Sequence, residues 1–184
     1  GIDEAAFYGP KLDIQMKNVH GKEDTLVTIQ IDMLLAKKFG MEYTDSNDKR
    51  VTPYIIHRTS MGCYERTLAL VLEKFAGALP MWMAPEQVRV LPIGVEHEEY
   101  ARSVRERLEA AGIRTEVDAR NEKIGYKIRQ AQLEKVPYML VVGEKEAAEG
   151  KVAVRTRAAV DLGALSVDEF LLKALEDVRT LKLD

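Results

Sequence analysis

The sequence predicts an α/β chain in two parts, and three observations carry that reading. Apolar and polar residues alternate over Leu12–Met16 and again over Val27–Ile31, the period of half-buried strands. Pro80 and Pro85 then interrupt the pattern; closely spaced prolines disfavour helix and stiffen an extended connector. From Gln87 onward, strands and helices take turns, which is the signature of a compact α/β domain. The boundary is placed at Pro85, giving parts 1–85 and 86–184.

In the first part, Leu12, Ile14 and Met16 point one way and Asp13, Gln15 and Lys17 the other. A turn at Val19–Lys22 leads to a second strand, with Val27, Ile29 and Ile31 opposite Thr28, Gln30 and Asp32. Two such strands joined by a short Gly-containing link read as an antiparallel hairpin. A helical turn follows at 34–39, a strand at 41–44, a loop at 45–48, and a strand at 51–59. In the second part, Gln87–Ile93 is a strand and Glu96–Ala111 an amphipathic helix ended by Gly112, the residue that most readily takes a left-handed cap. Strands are expected at 114–118, 137–142 and 151–157, with a helix at 124–135. Ser166-Val167-Asp168-Glu169 is a capping box that opens a last helix running to about Leu181.

Composition excludes several classes. A net charge of −3 gives no overall basic field, so any RNA contact must come from a local patch. The single Cys63 rules out an internal disulfide framework and fits a reducing compartment, hence a cytoplasmic protein. No apolar run approaches the ~20 residues that span a bilayer. Gly1-Ile2-Asp3-Glu4 has neither the basic nor the apolar region of a signal peptide. It also lacks a starting Met, so a processed product or a partial sequence is expected.

Ile56 to Gly77 organises the first part: a strand end, a Gly turn and a helix. Nearly every residue of Thr67–Phe75 except Glu73 and Lys74 is apolar, so a buried helix is expected. Arg66 lies in its first turn, where the helix dipole disfavours a cation. It is either a functional cation or half of an ion pair with Glu65 or a neighbouring carboxylate, and both readings fit.

A strand carrying His57, then Gly62-Cys63-Tyr64-Glu65-Arg66 opening an apolar helix, resembles the third signature motif of class II aminoacyl-tRNA synthetases. With Phe7-Tyr8-Gly9-Pro10-Lys11 and Thr28-Ile29-Gln30-Ile31-Asp32, the pattern is similar to the threonyl members. The resemblance runs the length of the chain and covers the C-terminal portion of that family's chain. It implies a class II antiparallel-sheet portion for 1–85 and an α/β anticodon-binding domain with a mixed sheet for 86–184. The implied reaction is ATP-dependent ligation of threonine to tRNA-Thr, with Mg²⁺ as cofactor, in a homodimer. Arg66 and Lys11 would be the cations near the nucleotide, and Tyr8, Thr28, Gln30, Asp32 and Cys63 would line the substrate and ATP site. His57 would be one of three protein ligands to a Zn²⁺ ion that recognises threonine; the other two are not in this sequence, and neither are the first two class II motifs. The chain alone is therefore expected to be inactive.

The run Arg120–Arg129 brings four cations close to Tyr126. By composition it reads as a solvated basic helix; such a mixture also suits RNA bases and phosphates. The resemblance implies anticodon contacts for Asn121, Glu146 and Arg155. An alternative is a stand-alone tRNA-binding, synthetase-like module without catalysis. A prolyl-type member is a further alternative, and His57 nine residues before Arg66 counts against it.

Overall fold

A computed structural model describes residues 6–183. It is an α/β fold in which the described residues form a three-stranded antiparallel sheet, a two-stranded antiparallel ladder and a five-stranded mixed sheet, and its contacts divide it into two compact units, the first ending at Lys74 and the second beginning at Phe75.

In the first unit, β1 (Lys11–Lys17) and β2 (Glu23–Asp32) form the expected antiparallel hairpin, closed by a turn with Gly21 at φ 76°. β5 (Ile55–Arg58) pairs with the other edge of β2, giving the order β1-β2-β5. Between them come α1 (Leu35–Lys38) and a small ladder of β3 (Tyr43–Thr44) with β4 (Arg50–Val51). α2 (Tyr64–Lys74) closes the unit. Gly9 lies against the Ile31 carbonyl so closely that any Cβ would collide with it. This approach lets the Tyr8 and Pro10 carbonyls accept from the Met33 and Ile31 N–H groups, prolonging the β1–β2 pairing.

One expectation fails here. Of the described α2 side chains only Leu70 is buried; Leu68 is 56% exposed. Likewise Leu12, Ile14 and Ile56, on the apolar face of the sheet, stay largely exposed. Periodicity identifies which face is apolar, but it cannot say what covers that face.

The second unit is better filled. β6 (Val88–Pro92), β7 (Thr115–Val117) and β8 (Tyr138–Val142) run parallel, with β6 in the middle. β9 (Lys151–Thr156) and β10 (Asp161–Ser166) continue antiparallel beside β8, giving the order β10-β9-β8-β6-β7. α3 (Glu98–Ala110) links β6 to β7, α4 (Ile124–Leu133) links β7 to β8, and α5 (Glu144–Glu149) precedes β9. α6 (Val167–Arg179) follows β10, and the Ser166–Glu169 capping box opens it as expected.

One core gathers Val88, Val90, Leu108, Leu140, Val152, Val154 and Phe170. On the other face, Leu91, Ala131, Val136 and Met139 pack together beneath α4. A strand such as β8, buried on both faces, reads as a continuous apolar run. The proline-flanked stretch before β6 is packed onto this unit. Met81 and Ala84 are buried, and the Gln87 amide donates to the Met81 carbonyl while its oxygen accepts from Arg114 N–H.

Candidate functional site

Strand register sets out one polar face on the first sheet. Lys11 stands opposite Gln30, Asp13 opposite Thr28, and Gln30 opposite His57. Directly opposed residues share a face, so all five project to one side, together with Asp32, two places beyond Gln30. The groups form two linked sets. In the first, Lys11 Nζ lies 2.7 Å from Asp13 and Thr28 Oγ1 donates to Asp13 at 2.8 Å. These bonds, Lys11 first, hold the Asp13 carboxyl below its usual range. Asp13 was not singled out from the sequence, although its parity placed it on the polar face.

The second set centres on Asp32, which is fully buried. One oxygen accepts from the Leu35 and Leu34 N–H groups at 2.9 Å, capping the first turn of α1. The other lies 3.1 Å from His57 Nε2. The Leu35 N–H is the largest influence drawing the Asp32 carboxyl below its usual range, with Leu34 and His57 acting in the same direction. An ionised carboxylate only accepts, so Nε2 carries the proton and Nδ1 faces away from the pair. Between the sets, Gln30 Nε2 is buried with no hydrogen-bond partner. Such a group costs about 1–3 kcal/mol until an acceptor reaches it.

Arg66 is exposed in the first turn of α2, and its Nη1 donates to the Thr25 carbonyl at 3.2 Å. No carboxylate among the described residues pairs with it, so the ion pair with Glu65 is not formed. Thr25 stands opposite Gln15 on the same sheet, so Arg66 is anchored beside the polar face, and no bond among the described residues joins it to the Asp13 or Asp32 sets. Cys63 is exposed just before α2, after Gly62 at φ 64°. A Cβ on Gly62 would lie 3.0 Å from the Leu26 carbonyl, so glycine is needed there on two counts. Tyr8 lies edge-on to Phe7, with centroids 5.2 Å apart.

His57 fits a zinc ion as one ligand only. A metal-bound His commonly donates its other N–H to a carboxylate, which is the arrangement with Asp32. A zinc site needs three or four protein ligands. Among the described residues no group of three or more His, Cys, Asp or Glu side chains could hold a metal.

In the second unit the strand order reverses at β6, and crevices at the carboxyl ends of such strands are the usual ligand sites of open α/β sheets. Asn121 is exposed beyond β7, and Glu146 half-buried beyond β8. Arg155 faces Met139 across β8–β9 and so emerges on the side that α4 covers. No bond joins the three. Two of them are anchored separately: Glu146 accepts from Gly143 N–H at 3.1 Å, and Arg155 lies 3.1 Å from Asp161. The acid at 146 therefore also has a structural task, closing the start of α5.

The basic run keeps Arg120, Lys123 and Arg129 exposed, as a solvated helix would, and departs from that reading at Lys127. Arg120 grips Asp118 with two bonds of 2.8 and 2.6 Å and lies 5.8 Å over the Tyr126 ring. Arg120 is the main cause that lowers the Asp118 carboxyl. Lys127 is buried.

Two family descriptions match the two parts. Residues 2–75 match the tRNA synthetase class II core domain (G, H, P, S and T), and residues 87–177 match an anticodon binding domain. Together they define the class: the chain joins core sequence of a class II aminoacyl-tRNA synthetase to an anticodon-binding domain. Within it, the chain is 58% identical over 178 residues to threonine–tRNA ligase of Clostridium botulinum (strain Eklund 17B), covering 97% of this chain and 28% of that protein. It is 49% identical over 177 residues to threonine–tRNA ligase 1 of Bacillus subtilis, covering 96% and 28%. The crystal structure of the RNA-binding domain of threonyl-tRNA synthetase from Cryptosporidium parvum superposes with a TM-score of 0.84 at 37% identity, over 94% of this chain and 44% of that one. The chain belongs to the threonine–tRNA ligase family and spans 28% of the length of the first of these relatives. No helix among the described residues is long and apolar enough to cross a membrane.

Proposed function

We propose that this chain supplies part of the active site and the anticodon-binding domain of an enzyme that ligates threonine to tRNA-Thr at the expense of ATP, acting in the cytoplasm as a homodimer. On this reading, 1–85 is the end of the catalytic domain and 86–184 reads the tRNA. The observation that carries it is the polar sheet face on which Gln30 holds an unpaired buried amide between Lys11 and His57. A bound threonine or nucleotide can supply the acceptor that Gln30 lacks.

Tyr8, Thr28, Gln30, Asp32 and Cys63 line the site, and Asp32 orients His57. Lys11 and Arg66 direct positive charge toward the nucleotide, the electrostatic and positioning work that such chemistry needs. Arg suits Arg66, because a guanidinium stacks and donates at once. When bound, Mg²⁺ would neutralise phosphoryl charge and Zn²⁺ on His57 would contact the threonine amino and hydroxyl groups. Asn121, Glu146 and Arg155 read anticodon bases.

The test grafts this chain into the Clostridium botulinum ligase in place of the matching segment and measures threonine-dependent ATP–pyrophosphate exchange. The graft is expected to be active, and Arg66→Ala in it to lose about a hundredfold or more in kcat, the scale of one electrostatic donor. An active graft indifferent to Arg66→Ala removes that residue from the site. An inactive but folded graft sinks the catalytic reading in favour of a binding module.

A further inference from the structure

The least expected charged group in the second unit is Lys127. It lies on the inward side of α4 with Ile124, Ile128 and Ala131 and is 3% exposed. Lysine is almost never buried so fully unless paired, yet among the described residues no carboxylate lies within ion-pair distance of it. Its ammonium instead donates to two main-chain carbonyls, that of Pro92 at 2.9 Å and that of Asp118 at 3.0 Å.

These carbonyls mark strand exits. Pro92 ends β6, and Asp118 follows the last residue of β7, its own N–H bonded to the Val90 carbonyl at 3.0 Å. Three residues beyond Asp118 stands Asn121. The intervening Arg120 is held by the Asp118 side chain. Asp118 thus receives Lys127 through its carbonyl and Arg120 through its carboxylate, and both bonds fix the start of the segment that carries Asn121. A Met of similar length would fill the space with no charge to bury, so the packing alone does not call for lysine.

We propose that Lys127 is a positioning residue for RNA recognition: it ties the exits of β6 and β7 together and thereby sets where Asn121 meets an anticodon base. This deepens the anticodon-reading role proposed above and rests on it.

The test uses the 184-residue chain and the anticodon stem-loop of a threonine tRNA, intact or with each anticodon base replaced in turn. The readout is the ratio of dissociation constants for replaced and intact loops. Partial unfolding scales both constants alike and leaves the ratio unchanged, so a merely structural role does not move it. Lys127→Met is expected to lower the ratio about tenfold at one base, the worth of one base-edge contact. In an Asn121→Ala background it is expected to add little, since changes acting on one contact do not sum. Should Lys127→Met fail to fold, Lys127→Gln, which keeps a side-chain donor, takes its place, and its ratio is expected to fall by a smaller factor. A ratio held at the wild-type value, or effects that simply add to those of Asn121→Ala, overturns the proposal. A wild-type chain with no discrimination overturns the anticodon reading as well.

Discussion

The two units are held together differently. Among the described residues, the only buried hydrophobic side chains of the first unit are Ala36 and Leu70, whereas the second buries a continuous set from Met81 to Ala174 on both faces of its sheet. The first unit relies on hydrogen bonds: the β ladder, the Asp32 cap, and the Asp13 links to Lys11 and Thr28. Net gains of about 1 kcal/mol per hydrogen bond are small beside the ~1.5–3 kcal/mol for burying one large apolar side chain. The contrast teaches that the first unit presents chemistry on a thin support, while the second is a self-contained scaffold. An apolar surface left open in this way is more informative than a buried one.

The contrast breaks first at Phe170, fully buried against Tyr138 in the second core. Phe170→Ala is expected to cost about 3–5 kcal/mol, read from the denaturation midpoint of Trp82 fluorescence, since the single tryptophan lies in that unit. A loss under about 1 kcal/mol would mean the second core is looser than its burial implies.

An intermediate effect is expected at Asp32. Its carboxyl is held below the usual range, chiefly by the Leu35 N–H. A lowered folded-state value gives stability that is present above the unfolded value and lost as pH falls through the folded one. Hydrogen-exchange protection at Leu34 and Leu35 should therefore weaken as pH drops below about 4. Asp32→Asn should remove that dependence. A pH dependence unchanged in Asp32→Asn would place its cause in another carboxylate. The smallest effect is expected at Leu68, 56% exposed on α2. Leu68→Ala should change stability by no more than about 0.5 kcal/mol; a core-sized loss would mean this face is covered in solution.

Much of this was legible in the sequence, and the failures have physical causes. The β1–β2 hairpin followed from period-two alternation and the Gly21 turn, and α6 from its capping box. β10 escaped notice because Gly163, at φ 80° beside a register shift, and the small Ala164 dilute its apolar pattern. Lys127 was not legible because a lysine in a basic run reads as solvated, and only the folded chain brings the Pro92 and Asp118 carbonyls to its tip. Asp13 could have been found from parity alone. The exposure of α2 could not, because periodicity carries no information about distant cover.

The most direct measurement is the affinity of the chain for intact threonine tRNA and for the same tRNA with its anticodon exchanged, across a salt series. A reader of bases should bind the exchanged tRNA at least about tenfold more weakly. Both affinities should fall steeply with salt, as phosphate contacts require. Equal affinity for the two tRNAs at every salt concentration would contradict the account.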